Sequence, residues 1–154
     1  MTSFNAMTKP TFDEEQLLWD QGHTYVAGVD EVGRGCFAGP VVTAAVILAK
    51  NFSAAGEVND SKLLSPKKRK KLSEIILKEA VAFSIAEVSV EVINDVGIGK
   101  ATQEAFYQAI TTLTIPPHFI LIDAFYIQKL SRKNQNPIVH GDGKSISIAA
   151  ASII

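Results

Sequence analysis

The chain has 154 residues, a formal net charge of −1 from 15 Lys and Arg against 16 Asp and Glu, and 47% hydrophobic against 20% charged residues. That length suits one domain, and that balance supplies a packed core, so disorder for want of apolar burial is not expected outside the N-terminus. A single cysteine, Cys36, excludes an internal disulfide and a cysteine metal cluster, and it suits a reducing compartment.

Residues 1–21 are polar and include Asp13, Glu14 and Glu15, with no apolar core of signal-peptide length. Within them, Phe12 to Trp19 is predicted to form a short amphipathic helix, so residues 1–20 read as a helical lead-in and residues 21–154 as the main domain. Tyr25-Val26-Ala27-Gly28-Val29-Asp30 reads as an apolar strand running into an acidic end. Gly33, Gly35 and Gly39-Pro40 then mark a tight turn. The run from Val41 to Leu48 is a second strand, and the short connection predicts antiparallel pairing with the first. Residues 41–49 are also the longest apolar run, far too short to span a bilayer. A cytoplasmic monomer with no membrane partner is the expectation.

Asn59-Asp60-Ser61-Lys62 occupies a loop. Ser65-Pro66 is a helix start, with Ser as N-cap and Pro at the first helical position. Leu72, Ile75, Ile76 and Ala80 fall at helical spacing, which predicts a helix from 66 to about 80. Its run Lys67-Lys68-Arg69-Lys70-Lys71 reads as a solvated face as readily as a phosphate contact. Residues 81–90 alternate and read as a third strand. Ala101, Ala105, Ala109 and Leu113 mark a second helix opened around Gly97 and Gly99. After Pro116-Pro117 come a buried strand, Phe119-Ile120-Leu121-Ile122-Asp123, and another at Pro137-Ile138-Val139-His140, followed by Gly141-Asp142-Gly143. From Ser147 the chain reads as the start of a buried helix, and it ends at Ile154 with no C-cap. Alternating strands and helices predict an α/β layered domain.

Asp30-Glu31, Asp123 and Asp142 each stand at or just past the end of an apolar strand, where open α/β sheets bind ligands. Any one such acid alone is what solvent at a strand end produces. Converging carboxylates raise one another's pKa, and a divalent cation reverses that repulsion. Oxygen ligands without cysteine suit Mg²⁺ or Mn²⁺, and two such ions about 4 Å apart are a standard arrangement for phosphodiester hydrolysis. Neighbours on a strand face opposite sides, so Asp30 and Glu31 serve one site only where the strand ends or distorts between them. In Gly33-Arg34-Gly35 the glycines let backbone approach a ligand closely, and Arg34 suits a phosphate, although a plain tight turn reads the same way.

Together these motifs resemble the ribonuclease HII family. Gly28-Val29-Asp30-Glu31-Val32-Gly33-Arg34-Gly35 with Gly39-Pro40-Val41-Val42 is similar to its N-terminal signature, and Asn59-Asp60-Ser61-Lys62 with Leu64-Ser65 to its following loop. Leu121-Ile122-Asp123-Ala124 and Gly141-Asp142, with Ile148 to Ile153 after it, resemble the segments carrying its third and fourth acids. The resemblance implies a ribonuclease H-like fold, a mixed central sheet flanked by helices. It implies an endonuclease that cuts the RNA strand of RNA–DNA hybrids and incises at ribonucleotides embedded in DNA, leaving 3′-hydroxyl and 5′-phosphate ends. Asp30, Glu31 and Asp123 would be metal ligands for two Mn²⁺ or Mg²⁺ ions, with Asp142 as the fourth catalytic acid. Gly33, Arg34 and Gly35 would read the ribose 2′-hydroxyl, the group that separates RNA from DNA. Asn59 and Lys62 would meet the substrate backbone.

Two departures accompany the resemblance. His140 stands where the family usually has lysine, and it reads as structural. The family also continues past Ile154 into further helices with a tyrosine that stacks on the sugar. The chain is therefore expected to be truncated, its last helices missing, with a complete metal site and an incomplete substrate clamp. The competing readings are a non-cutting nucleic-acid-binding remnant and another ribonuclease H-like enzyme. The related HIII type carries an extra N-terminal domain, for which some 20 residues leave no room.

Overall fold

A computed structural model describes residues 9–32 and 39–154. Helix α1 spans Asp13–Asp20, and strands β1 (Val26–Val32) and β2 (Val41–Ile47) follow. A 3₁₀ turn, Ser61–Leu63, leads into helix α2 (Pro66–Glu79) and strand β3 (Ala82–Val88). Next come helices α3 (Val90–Val96) and α4 (Ile98–Thr111), then strands β4 (Phe119–Asp123) and β5 (Gln135–Ile138). A second 3₁₀ turn, Arg132–Asn134, precedes β5; a third, Gly141–Gly143, precedes helix α5 (Ile146–Ile153).

The strands form one mixed sheet in the order β3-β2-β1-β4-β5. β1 pairs antiparallel with β2, as the short connection predicts, and β2 pairs antiparallel with β3. On the other side β1, β4 and β5 run parallel. β2 is buried along almost its whole length, which is why it reads as an unbroken apolar run. β3, at the edge, buries Ala82, Ser84, Ala86 and Val88 and exposes Phe83 and Ile85, so it alternates.

Helices cover both faces, and β1 serves both by alternation. Ala27 and Val29 pack with Ala45, Ile122 and α4's Phe106 and Ala109. The small residues Ala101, Ala105 and Ala109 let α4 lie close to the sheet. On the other face Ala44 and Val46 meet Leu72 and Ile76 of α2 and Ala149 and Ala150 of α5, while Val26 and Leu121 meet Ile148. At Gly28 a Cβ would stand 2.1 Å from the carbonyl carbon of Ser147 and 2.4 Å from the Ile148 nitrogen. Only glycine lets α5 sit this close to β1.

β1 continues past Asp30 to Val32, and two further boundaries differ from the sequence expectation. The third strand stops at Val88, because Ser89 accepts from the Val92 N–H and caps α3. Val90-Glu91-Val92 alternates like a strand, and a local side-chain cap overrides that pattern. The last strand is Gln135–Ile138 rather than 137–140. Buried Gln135 accepts from Ile127 N–H at 2.8 Å and donates to the Ile127, Leu130 and Ser131 carbonyls, each at 3.1 Å, which ties the 127–131 loop to this strand. His140 lies beyond it, in the left-handed region at φ 56°.

Candidate metal centre

Asp30 lies near the end of β1 and Asp123 ends β4. Val29 is in register with Ile122, so the two acids occupy the next rung of a parallel pair. Leu121 packs on the α5 side of the sheet and Ile122 on the α4 side. By alternation Asp123 faces α5, as Asp30 does two residues after Gly28. Asp142 comes from the 3₁₀ turn just before α5. The Gly141 N–H donates to Asp123 Oδ1 at 3.1 Å and joins that turn to the end of β4. Carboxylate oxygens of Asp30, Asp123 and Asp142 consequently all lie within 4.8 Å of one another.

The backbone beside this cluster is strained. Ala124, directly after Asp123, has φ 73°, and His140, two residues before Asp142, has φ 56°. Such left-handed non-glycine residues cost about 1–2 kcal/mol each and persist where the surroundings dictate them. Here the Ala124 N–H donates to the Ile138 carbonyl at 3.0 Å, and the Gly143 N–H donates to the His140 carbonyl at 3.0 Å.

Electrostatics define the site further. Asp30 is only 5% exposed. Burial, then the charges of Asp123, Asp142 and Glu31, push its carboxyl up to about 8, against the lowering effect of the Glu31 N–H, which donates to it at 2.8 Å. Asp142 is also raised, by burial first and then by Asp60 and Asp123, while Lys62 opposes the rise. Acids crowded until their ionisation is this unfavourable, with only carboxylate oxygens as donors, fit a hard divalent cation.

Three of the four acids expected from the sequence are thus brought together. Glu31 is not in the group within 4.8 Å. β1 stays in register with β2 through Glu31, opposite Thr43. Its charge still reaches Asp30. Of the expected substrate contacts, Lys62 is exposed and close enough to act on Asp142. Asn59 is half-buried, and its Oδ1 accepts the Asp60 N–H at 2.8 Å, holding its own loop. Gly33, Arg34 and Gly35 lie outside the described residues, as does Cys36. Asp60 was missing from the sequence-based set. Its charge raises Asp142, and its Oδ1 accepts the Lys62 N–H at 3.0 Å. The acid within Asn59-Asp60-Ser61-Lys62 was the available signal.

A mixed five-stranded sheet with helices on both faces, and acids at the ends of adjacent parallel strands, is a ribonuclease H-like fold. The chain is similar to the ribonuclease H2 structure from Pyrococcus horikoshii, with a TM-score of 0.71 and 26% identity over 84% of this chain and 69% of that one. The family model for ribonuclease HII matches residues 27–154. Ribonuclease HII of Ligilactobacillus salivarius is 51% identical over 140 residues, 91% of this chain and 54% of that protein. The Bartonella henselae protein of the same name is 48% identical over 151 residues, 98% of this chain and 67% of its own length. The chain belongs to the ribonuclease HII family. It spans about half the length of the first of these relatives.

Proposed function

We propose that the chain carries the catalytic centre of an endonuclease that hydrolyses the RNA strand of RNA–DNA hybrids and incises at ribonucleotides within DNA, leaving 3′-hydroxyl and 5′-phosphate ends. The observation that carries this reading is the convergence of Asp30, Asp123 and Asp142 at one end of the parallel strands, within the fold and family described above. Asp30, Asp123 and Asp142 would hold Mg²⁺ or Mn²⁺, which would supply Lewis acidity at the phosphate and make deprotonation of the attacking water easier at neutral pH.

The chain's own residues divide the remaining tasks. Asp30 must give up its proton to ligate, and Asp123, held by the Gly141 N–H, fixes the opposite side of the cradle. Asp142 completes the triangle, and Glu31 adds negative charge from the next residue of β1. Lys62, beside Asp142, offers a cation to a substrate phosphate, with Asn59 shaping its loop. Gly33, Arg34 and Gly35 are assigned to the ribose 2′-hydroxyl by family resemblance. The protein works as a monomer on nucleic acid in the cytoplasm. Among the described residues, no helix is long and apolar enough to cross a membrane.

The test is a labelled DNA duplex containing one ribonucleotide, incubated with the chain and Mn²⁺ or Mg²⁺. Expected is a single cut beside the ribonucleotide, with an extendable 3′-hydroxyl. A folded chain that binds the duplex without cutting it would instead be a binding remnant.

A further inference from the structure

Glu15, on α1, has no exposed surface at all and takes no part in the chemistry above. Its Oε1 accepts from the Ser145 hydroxyl at 2.6 Å and from the Ser147 N–H at 2.9 Å. Ser145 is the N-cap of α5, and its Oγ also accepts the Ile148 N–H at 3.2 Å. The segment before α1 adds to this junction. The Thr11 N–H donates to the Lys144 carbonyl and the Ile146 N–H to the Thr11 carbonyl, both at 3.1 Å. Residues 144–147 are thus held one after another by a stretch of chain more than a hundred positions earlier.

That short segment has two neighbours in the metal centre. Upstream, the Ser145 and Lys144 N–H groups donate to the Gly141 carbonyl at 2.8 and 3.0 Å, closing the turn that carries Asp142. Gly141 also donates to Asp123. Downstream, Ser147 rests directly on Gly28, two residues before Asp30. Any shift of Ser145–Ser147 therefore moves Asp142 relative to Asp30. A carboxylate is well suited to hold this point, since it can accept two converging donors at the positive end of a helix. Its second oxygen, Oε2, is buried with no hydrogen-bond partner among the described residues. An apolar side chain would fill the same volume without burying that oxygen, so packing alone does not account for a carboxyl here.

We infer that Glu15 is a positioning residue for the metal centre: through Ser145 and Ser147 it sets the place of Asp142 opposite Asp30 and Asp123. This rests on reading the three aspartates as the metal site.

The test is titration calorimetry of Mn²⁺ into the full chain and its variants, well below their melting temperatures. Stoichiometry then reports the folded fraction, while Kd reports site geometry. Glu15→Ala is expected to bind Mn²⁺ about tenfold more weakly per folded chain, the scale seen when a group orienting metal ligands is removed. Glu15→Gln, which keeps an oxygen to accept both donors, is expected within about twofold of the parent. Leu113→Ala loosens the core on the α4 face of the sheet, away from α1 and α5, and is expected to lower stability at unchanged Kd. Should Glu15→Ala not fold, Glu15→Asp carries the same test, because it keeps the charge but falls short of both donors. Parent-like Mn²⁺ affinity in Glu15→Ala, or in Glu15→Asp where that is the variant that folds, would make Glu15 a fold anchor only. Absence of Mn²⁺ binding by the parent would overturn the metal-site reading itself, and the inference with it.

Discussion

Asp30 is buried among Asp123, Asp142 and Glu31, and its carboxyl titrates near 8 instead of its ordinary 3.8. Asp30→Asn removes both the ligand and the repulsion. Cleavage should fall more than about a hundredfold, since even loss of a group that only orients metal ligands costs up to that much. In the absence of metal above neutral pH, the same variant should be more stable by about 1 kcal/mol, visible as a melting temperature higher by about 2–4 °C. Retained cleavage would remove Asp30 from the centre. Asp60 leads to a separate expectation. Its charge raises Asp142, so Asp60→Asn should let Asp142 ionise at lower pH. The acid limb of the pH–rate profile should then move to lower pH, and an unmoved limb would mean that Asp142 does not govern it. The contrast between Asp30 and Asp60 shows what reading the residues alone could reach. Asp30, Asp123 and Asp142 were legible because each follows an apolar strand. Asp60 was not, because its facing Asp142 depends on the buried anchors Val58 and Leu64 on either side of its loop. Glu31 was legible as an acid and expected as a ligand by resemblance, yet it lies outside the group of three carboxylates.

At the scale of elements, the contact of α5 with β1 fixes the centre. Gly28→Ala would put a methyl group 2.1–2.4 Å from three backbone atoms of Ser147 and Ile148, where no side-chain rotamer can relieve the overlap. The helix must move, at a cost of about 3 kcal/mol. Thermal unfolding should show a loss of roughly 6–12 °C for a chain of this size. Mn²⁺ affinity should weaken as well, since Asp142 precedes the displaced helix. An unchanged melting temperature would mean that α5 does not rest on β1. Sequence patterning located nearly every element because its period matched its burial: β2 is buried on both faces, and α4 presents alanines to the sheet. It failed at α3, where β-branched residues alternate and only the Ser89 cap decides for helix. It also slid the last strand by two residues, because the side-chain bonds of Gln135 to the 127–131 loop are contacts that periodicity does not report.

Across the whole molecule the near-zero net charge hides a local crowding of acids, where Asp30, Asp123 and Asp142 meet. Burial of that cluster makes stability depend on pH in a definite direction. Without metal, Asp30 binds a proton up to about pH 8 when folded and only up to 3.8 when unfolded. Between those values the native state holds the extra proton, so stability falls as pH rises through the window. Asp142 and Glu15, each raised chiefly by burial, contribute with the same sign. A divalent cation takes the place of the proton. Its binding should therefore tighten as pH rises toward 8 and release protons, and at a hundred times its Kd it should add about 2.7 kcal/mol, or roughly 5–11 °C. Melting curves across this pH range, with and without Mn²⁺, should diverge: the metal-free curve declines with pH while the gap between the two widens. In Asp30→Asn the decline should be shallower and the gap nearly absent. A metal-free melting temperature that rose steadily from pH 5 to 8 would show that the folded chain does not retain the proton on Asp30, and that the three aspartates are further apart, or wetter, than a cation site requires.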